Sequence, residues 1–435
     1  MKNTIFLGAI LFIGLCAENL FAQKKDYSCE ISSKEIPGEF RFERVYGETP
    51  DGYPLPLTGK PITKTPQIVK NRNADLKKYP EYYLAGSENL DDAEMRITCI
   101  GSGNPPVRMG QAATGWLVEL GNGEKFIFDC GGGTIQNLWS LGIPMAELNK
   151  LFITHLHLDH VGGIFPLFDA MGWGRNVPLQ VWGPSGHTKK MGVEAFCKNI
   201  EQASAWHITS KKGIASPKGM SIKAHEFDYS KFTSETPELL VYNKNSVKIY
   251  SFPVVHLLEG SVGYRLEYKG LSFAFTGDSQ PTTFEAKHSS NVDVFVHELF
   301  IDGETFARKN NMPLQLANSI VEQAHTSAGS LGKVFDLAKP QLGVGTHFFT
   351  NDDTIDPAMK LLRTTYNGPV VISQDLMVIN VTSNQIITRM AITDKLMWAQ
   401  KSKKDEGDLK PDPMPTEGGT PQWLSNTLLT NPNKK

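Results

Sequence analysis

From residue 94 onward the chain alternates short apolar runs with polar, turn-forming clusters. Met95–Ile100, Trp116–Leu120 and Lys125–Phe128 read as strands, the second and third joined around Gly121-Asn122-Gly123, a hairpin signal. Leu151–Thr154, Leu179–Trp182, Ser221–Phe227, Val247–Phe252, Val262–Tyr268 and Leu271–Thr276 continue the series. Val292–His297, Leu342–Thr346, Val370–Ile372 and Met377–Val381 complete it. Helical spacing falls at 160–171, 185–203, 281–288, 313–324, 328–338 and 356–366. Many strands interleaved with helices predict a layered α/β fold over residues 94–394. Residues 23–93 have weak periodicity, with Pro54, Pro56, Pro61 and Pro66 close together, and read as an irregular N-terminal extension packed over the main domain. Residues 395–435 read as a polar C-terminal tail, punctuated by Pro411, Pro413, Pro415 and Pro421.

The first 22 residues change the picture. Lys2 precedes the apolar run Ile5–Leu15, and small residues lead to a cleavage point after Ala22. The run is too short for a confident span, which needs roughly 20 apolar residues. We read residues 1–22 as a signal peptide and expect an exported, periplasmic or secreted protein with no stable membrane span after cleavage; an uncleaved anchor is the alternative. Cys16 leaves with the signal. Cys29, Cys99, Cys130 and Cys197 remain, which permit three full pairings, including a Cys29–Cys99 tie, or four free thiols.

Charge narrows the partners. The 435 residues carry 44 Lys+Arg against 46 Asp+Glu, a formal net charge of −2. A dedicated nucleic-acid binder normally shows a basic excess or stripe, so we expect no nucleic-acid partner.

The chemistry concentrates in Thr154-His155-Leu156-His157-Leu158-Asp159-His160. Leu156 and Leu158 alternate with His155 and His157, so a strand-like backbone puts both imidazoles on one side. The following turn swings Asp159 and His160 toward a neighbouring position. Imidazole and carboxylate are the ligands zinc prefers outside thiolate sites. Three more candidates end strands downstream: His256 in Phe252-Pro253-Val254-Val255-His256, Asp278 in Thr276-Gly277-Asp278-Ser279, and His347 in Gly345-Thr346-His347.

These residues resemble the metallo-β-lactamase superfamily, whose signature is HxHxDH after a strand. The resemblance covers residues 94–392 and implies a four-layer αββα sandwich with metals at one edge. It implies that His155, His157 and His256 hold one metal, that Asp159, His160 and His347 hold the other, and that Asp278 bridges. The metals implied are two Zn2+, with Mn2+ or Fe2+ as alternatives. Ile100-Gly101-Ser102-Gly103-Asn104-Pro105-Pro106 with Arg108, then Asp129-Cys130-Gly131-Gly132-Gly133-Thr134, look like the opening of the ribonuclease Z and arylsulfatase-type branch. His297-Glu298 and His325-Thr326-Ser327 are similar to that branch as well. There a histidine oriented by a glutamate protonates the leaving group, which implies catalytic roles for Glu298 and His325; Asp159 is also placed to orient or deprotonate the nucleophile. A role for His297 stays open.

Within that branch the chain lacks room for a tRNA-gripping arm. Asp278 follows His256 by 22 positions, and Gly260–Gly277 reads as two strands with one turn at Lys269-Gly270. The expectation is an exported binuclear zinc hydrolase acting on a small anionic or aromatic ester, of arylsulfatase or phosphodiesterase type, with a homodimer allowed. A lactonase- or β-lactamase-like acyl hydrolase and an iron-dependent oxidoreductase on the same fold are the alternatives. The 95 residues between His160 and His256 offer Trp173, Arg175, Trp182, Trp206 and His207 as cleft-lining groups or as ordinary core anchors. Phe348 and Phe349, beside His347, are further candidates for the pocket. Gly131–Gly133 reads as a tight turn that lets backbone approach the metal site.

Overall fold

The computed structural model describes residues 42–45, 58–61, 67–172, 174–394, 396–398 and 419–429. The expected signal peptide, Cys29, Trp173 and most of the C-terminal tail lie outside them. The strands, in chain order, open with an antiparallel pair, β1 (Phe42–Val45) and β2 (Thr58–Pro61). Then come β3 (Ile68–Val69), β4 (Tyr82–Leu84), β5 (Met95–Gly101), β6 (Gly115–Leu120), β7 (Lys125–Cys130), β8 (Lys150–Phe152), β9 (Leu179–Pro184) and β10 (Ile222–Phe227). A second group follows: β11 (Leu239–Lys244), β12 (Val247–Pro253), β13 (Val262–Tyr268), β14 (Leu271–Phe275), β15 (Val294–Glu298), β16 (Leu342–Thr346) and β17 (Val370–Ile372). The last two are β18 (Met377–Val381) and β19 (Gln385–Ile392).

Two large sheets result. One runs β10-β9-β8-β7-β6-β5-β18-β19-β3, with β4 also on β19; the other runs β11-β12-β13-β14-β15-β16-β17. The chain therefore leaves the first sheet to build the second, then returns through β18 and β19. β3 and β4 come from the part of the chain whose weak periodicity reads as irregular. They are only two and three residues long, so alternation has no room to register, yet they pair with β19 and extend the sheet.

The sheets pack face to face because both faces of their strands are apolar. In β6 and β7, Trp116, Val118, Phe126 and Phe128 enter the core between the sheets, while Leu117 and Ile127 enter the layer outside. Period-2 geometry divides one apolar run between two cores in this way. The second sheet meets the first with Ile249, Tyr264, Leu266, Phe273, Phe275, Val294 and Val344. Full burial of each such side chain contributes roughly 1.5–3 kcal/mol.

Helices cover the outer faces. α1 (Thr134–Ser140), α2 (Leu158–Val161), α3 (Ile164–Gly172), α4 (Val193–Ala203) and α5 (Ala205–Ser210) follow one another in the first half. Leu138, Leu167, Phe168, Val193 and Ile200 from this set pack on the first sheet. α6 (Thr283–His288), α7 (Gly303–Asn310), α8 (Leu314–Ala324), α9 (Ala328–Ala338) and α10 (Asp352–Arg363) follow, and Ala286, Val321, Leu331, Phe335 and Leu362 among them pack on the second sheet. A short α11 (Gln422–Ser425) lies in the tail. The order is helix, sheet, sheet, helix. No helix among the described residues is long and apolar enough to cross a membrane.

Several sequence expectations need correction. Residues 185–192 are not helical: Gly186 and Gly192 break the run, and α4 begins at Val193. Trp182 does not line a cleft; it is stacked between Phe152 (4.8 Å) and His225 (4.3 Å). Arg175 is fully buried, its guanidinium donating to the Gly219 carbonyl, so it cannot receive a substrate anion from solvent. Trp206 is exposed on α5. His207, also on α5, lies 2.7 Å from Asp169. Phe348 and Phe349 are buried in the core under the second sheet's helices. Cys99, Cys130 and Cys197 are buried free thiols.

Candidate metal centre

Every candidate ligand follows the C-terminal end of a strand, and within each sheet the strands that carry them run parallel. β7 and β8 are parallel, as are β14, β15 and β16. β12 is antiparallel to β13 and β13 to β14, so β12 also runs with β14. Loops from both sheets therefore meet at one edge of the sandwich. β8 delivers the segment 154–160, β12 delivers His256, β14 delivers Asp278, β15 ends on Glu298, and β16 delivers His347.

Close backbone approaches hold this edge together. Gly131 packs on the Asp159 carbonyl so tightly that a Cβ would sit 2.0 Å from its oxygen. Gly277 has φ +62°, and a Cβ there would meet Thr154 Oγ1 at 2.4 Å. Asp129 (φ 55°) and His347 (φ 57°) adopt the left-handed conformation that costs non-glycine residues energy. Both are site residues.

Asp278 belongs to three candidate groups, one of them with Glu298, His325 and His347, and the other two consist wholly of the ligands expected from the sequence. His155, His157, His256 and Asp278 form one; Asp159, His160, Asp278 and His347 form the other, with candidate ligand atoms in each set within 4.8 Å of one another. In the first, His157 Nδ1 lies 2.9 Å from His155 Nε2 and 3.2 Å from His256 Nε2. In the second, His347 Nε2 lies 3.0 Å from Asp159 Oδ2, and His160 Nε2 lies 3.1 Å from Asp278 Oδ1.

The outer nitrogen of most of these rings is anchored. His160 Nδ1 lies 2.7 Å from Asp129 Oδ2, His256 Nδ1 donates to the Ala324 carbonyl at 2.9 Å, and His155 Nδ1 lies 3.1 Å from Thr154 Oγ1. Each of these three rings therefore turns Nε2 toward the cluster, as a metal-binding imidazole does.

The electrostatics fit a divalent cation. Burial disfavours charge on Asp159 and Asp278, yet His160 and His347 outweigh it and hold both carboxyls below the usual range. Burial equally opposes charge on His160, but Asp278, Asp159 and Asp129 draw a proton onto it. Burial keeps His155 and His157 neutral and lowers His256 to about 4, leaving their lone pairs for coordination. His160 Nε2 and Asp278 Oδ1 are buried and face each other at 3.1 Å without an aligned hydrogen bond to any group. Such orphaned atoms are costly unless something else satisfies them, and a cation between these groups would do so while replacing the proton on His160.

Glu298 and His325 stand beside this cluster. Glu298 Oε2 lies 2.8 Å from His325 Nδ1, and Glu298 Oε1 accepts the Ser279 N–H. Burial and the neighbouring Asp278 push the Glu298 carboxyl up, and burial pushes His325 down. His297, left open by the sequence, is held by Glu285 and by the Glu298 backbone. Its Nδ1 donates to the Glu298 carbonyl at 2.8 Å and its Nε2 lies 3.2 Å from Glu285, which raises its pKa despite burial.

Sequence reasoning passed over Asp129 as a functional group, although a carboxylate ending a buried apolar strand was a usable signal. It also passed over Asp375, which accepts from the backbone N–H of Ser102 and Ala112 and from the Asn137 amide. That carboxylate ties the loops on the α1 side of the site to one point.

Comparison with known proteins bears on this arrangement. The family model described as Anti-Pycsar protein Apyc1 matches residues 95–313, half of the chain. His325 and His347 lie beyond that stretch. Ribonuclease Z of Mycobacterium marinum is 27% identical over 297 residues, spanning 65% of this chain and 97% of its own. Ribonuclease Z of Methanosarcina mazei is 26% identical over 318 residues, spanning 66% and 98%. Among solved structures, the short form of human tRNase Z (ELAC1) superposes with a TM-score of 0.50 at 20% identity, over 65% of this chain and 98% of that one. That last likeness is one of fold.

Proposed function

Because the chain belongs to the Anti-Pycsar protein Apyc1 family, within the ribonuclease Z-like branch of the metallo-β-lactamase superfamily, we propose that it hydrolyses a small phosphodiester at a two-metal centre. The observation that carries this reading is the 2.8 Å contact between Glu298 and His325, set beside seven candidate metal ligands. Two divalent cations, zinc in this proposal, would supply Lewis acidity and lower the pKa of water toward 7. His155, His157 and His256 would hold one, Asp159, His160 and His347 would hold the other, and Asp278 would serve both.

The remaining residues set the bond type. Glu298, whose carboxyl is pushed up by burial, donates to His325 Nδ1 and so selects the tautomer with the ring proton on Nε2. Nε2 then gives that proton to the departing ester oxygen as Nδ1 takes the proton of Glu298. An alkoxide leaving group needs that proton far more than a strained lactam or lactone does. The relatives named ribonuclease Z are by name nucleases, and the bond a nuclease cuts is a phosphodiester. Phosphodiester is therefore preferred to sulfate ester, lactone or lactam.

A small substrate is preferred to RNA on two grounds. β13 and β14 join through the two residues Lys269 and Gly270, so nothing between His256 and Asp278 projects as an RNA-gripping arm. The net charge of −2 offers no excess of cations to phosphates. Export belongs to the same proposal, supported by the sequence of residues 1–22; N-terminal sequencing of the protein from cell fractions tests it.

The deciding experiment is a substrate panel on protein lacking residues 1–22 and loaded with zinc. Aryl phosphodiester, aryl sulfate, lactone and cephalosporin are compared. Turnover confined to the phosphodiester is expected. Preference for any other member overturns the bond assignment, and one iron per chain in protein purified from cells overturns the zinc hydrolase.

A further inference from the structure

His325 is gripped by more than its hydrogen bond. Phe300 lies flat against one face of its ring, with centroids 4.1 Å apart and planes within 8° of parallel. Stacking this close between an imidazole and a phenyl ring is an oriented contact, not incidental burial.

Phe300 is itself immobilised. It is buried in the cluster that includes Leu299, Leu331 and Phe348. Phe306 meets its edge at 5.1 Å and 73°. Its backbone N–H donates to the Thr326 carbonyl at 2.8 Å, and Phe300 pairs with Ser327 in an isolated parallel bridge. The residue that stacks on His325 is thus clasped to the two residues that follow it.

A single hydrogen bond at Nδ1 fixes where that nitrogen points but leaves the ring able to turn about the bond. A flat apolar wall on one face removes that freedom. The other neighbours of the ring are the candidate ligands His256 and His347, at 5.7 and 5.6 Å between centroids. We infer that Phe300 is a positioning residue for the reaction: it sets the plane of His325 so that Nε2 meets the leaving-group oxygen. This rests on the proton-donor reading of His325 given above. In the step concerned, a hydroxide derived from water forms a new P–O bond, the P–O bond to the leaving group breaks with its electron pair on oxygen, and the Nε2 proton passes to that oxygen. The proton of Glu298 moves to Nδ1, and the proton given up by the attacking water returns to Glu298.

The test uses two aryl phosphodiesters on the zinc-loaded protein. Bis(4-nitrophenyl) phosphate releases a phenolate that leaves unaided, whereas diphenyl phosphate releases one that gains from protonation. Phe300→Leu should lower kcat on diphenyl phosphate about tenfold or more, against about twofold on the nitrophenyl ester, with KM little changed. Phe300→Tyr, which keeps the flat ring, should restore most of the loss. Phe306→Leu removes a neighbour of Phe300 from the same cluster; it should lower the melting temperature without leaving-group selectivity. Equal loss on both substrates in Phe300→Leu, or a tyrosine variant no better than leucine, overturns the inference. His325→Ala separates the two levels. If it is selective while Phe300→Leu is not, only the role of Phe300 fails; if it is unselective, the proton-donor reading fails and the inference with it.

Discussion

Asp129 Oδ2 lies 2.7 Å from His160 Nδ1 and accepts the Thr154 hydroxyl at the same distance. Its other oxygen accepts the Thr154 N–H at 2.8 Å. One carboxylate, buried and pushed up by that burial, therefore orients a candidate metal ligand and the backbone that starts the HxHxDH segment. Asp129→Asn keeps one acceptor but turns an N–H₂ toward His160 and the Thr154 hydroxyl. We expect zinc affinity to fall about 10–100-fold, read by competition with a chromophoric chelator. Unchanged affinity would detach Asp129 from the metal site.

Gly277 gives a second prediction, because two constraints coincide there. Its φ is +62°, and any Cβ would press on Thr154 at 2.4 Å. Gly270 has φ +82° with nothing within 4 Å. Gly270→Ala should cost about 1–2 kcal/mol, the left-handed penalty alone. Gly277→Ala should cost clearly more, about 3 kcal/mol or above, since the site must also shift. Urea unfolding of both variants checks the difference; equal losses would mean the Thr154 approach can relax.

The thiols make a third. Burial pushes Cys130 and Cys197 up to about 12 and Cys99 well above its ordinary value. The thiolate is the reactive form. At pH 8, iodoacetamide should leave the peptides carrying these three cysteines unmodified in native protein and label all three after unfolding in guanidinium. Native labelling at any of them, read by mass spectrometry, would place that thiol nearer solvent than its packing does.

How much of this could be read from the chain depends on how local each feature is. The segment His155 to His160 is dense enough to announce a metal site without any tertiary knowledge, and His256, Asp278 and His347 each end an apolar strand. Strands such as β5 and β13 were legible for the same reason, because their alternation of apolar residues is local. Features made by distant pairing were not. β19 pairs with β3, β4 and β18, and its alternation is blurred because both faces are buried. Phe348 and Phe349 follow a candidate metal ligand in sequence, but the chain turns through a left-handed His347 and buries both rings in the helix layer beneath the sheet. Trp182 sits in a long insertion between ligands, yet its strand β9 belongs to the first sheet. Nearness in sequence to a site residue is a poor guide where the chain turns sharply or enters a sheet.

The sharing of Asp278 between two ligand sets gives the last prediction, on metal stoichiometry. His155 belongs to one set, His347 to the other, and Asp278 to both. His155→Ala removes one of three imidazoles from its set and leaves the other set complete, so this variant should retain about one zinc per chain after dialysis. His347→Ala should do the same from the opposite side. Asp278→Asn weakens both sets at once and also removes the charge that holds two cations close together, so it should retain well under one. The coulombic reason is direct: cations a few ångströms apart repel strongly in a buried site unless an anion lies between them. Metal counting by plasma mass spectrometry on the three variants decides it. If Asp278→Asn keeps as much zinc as the histidine variants, Asp278 is a ligand of one cation only, and the two sets are independent.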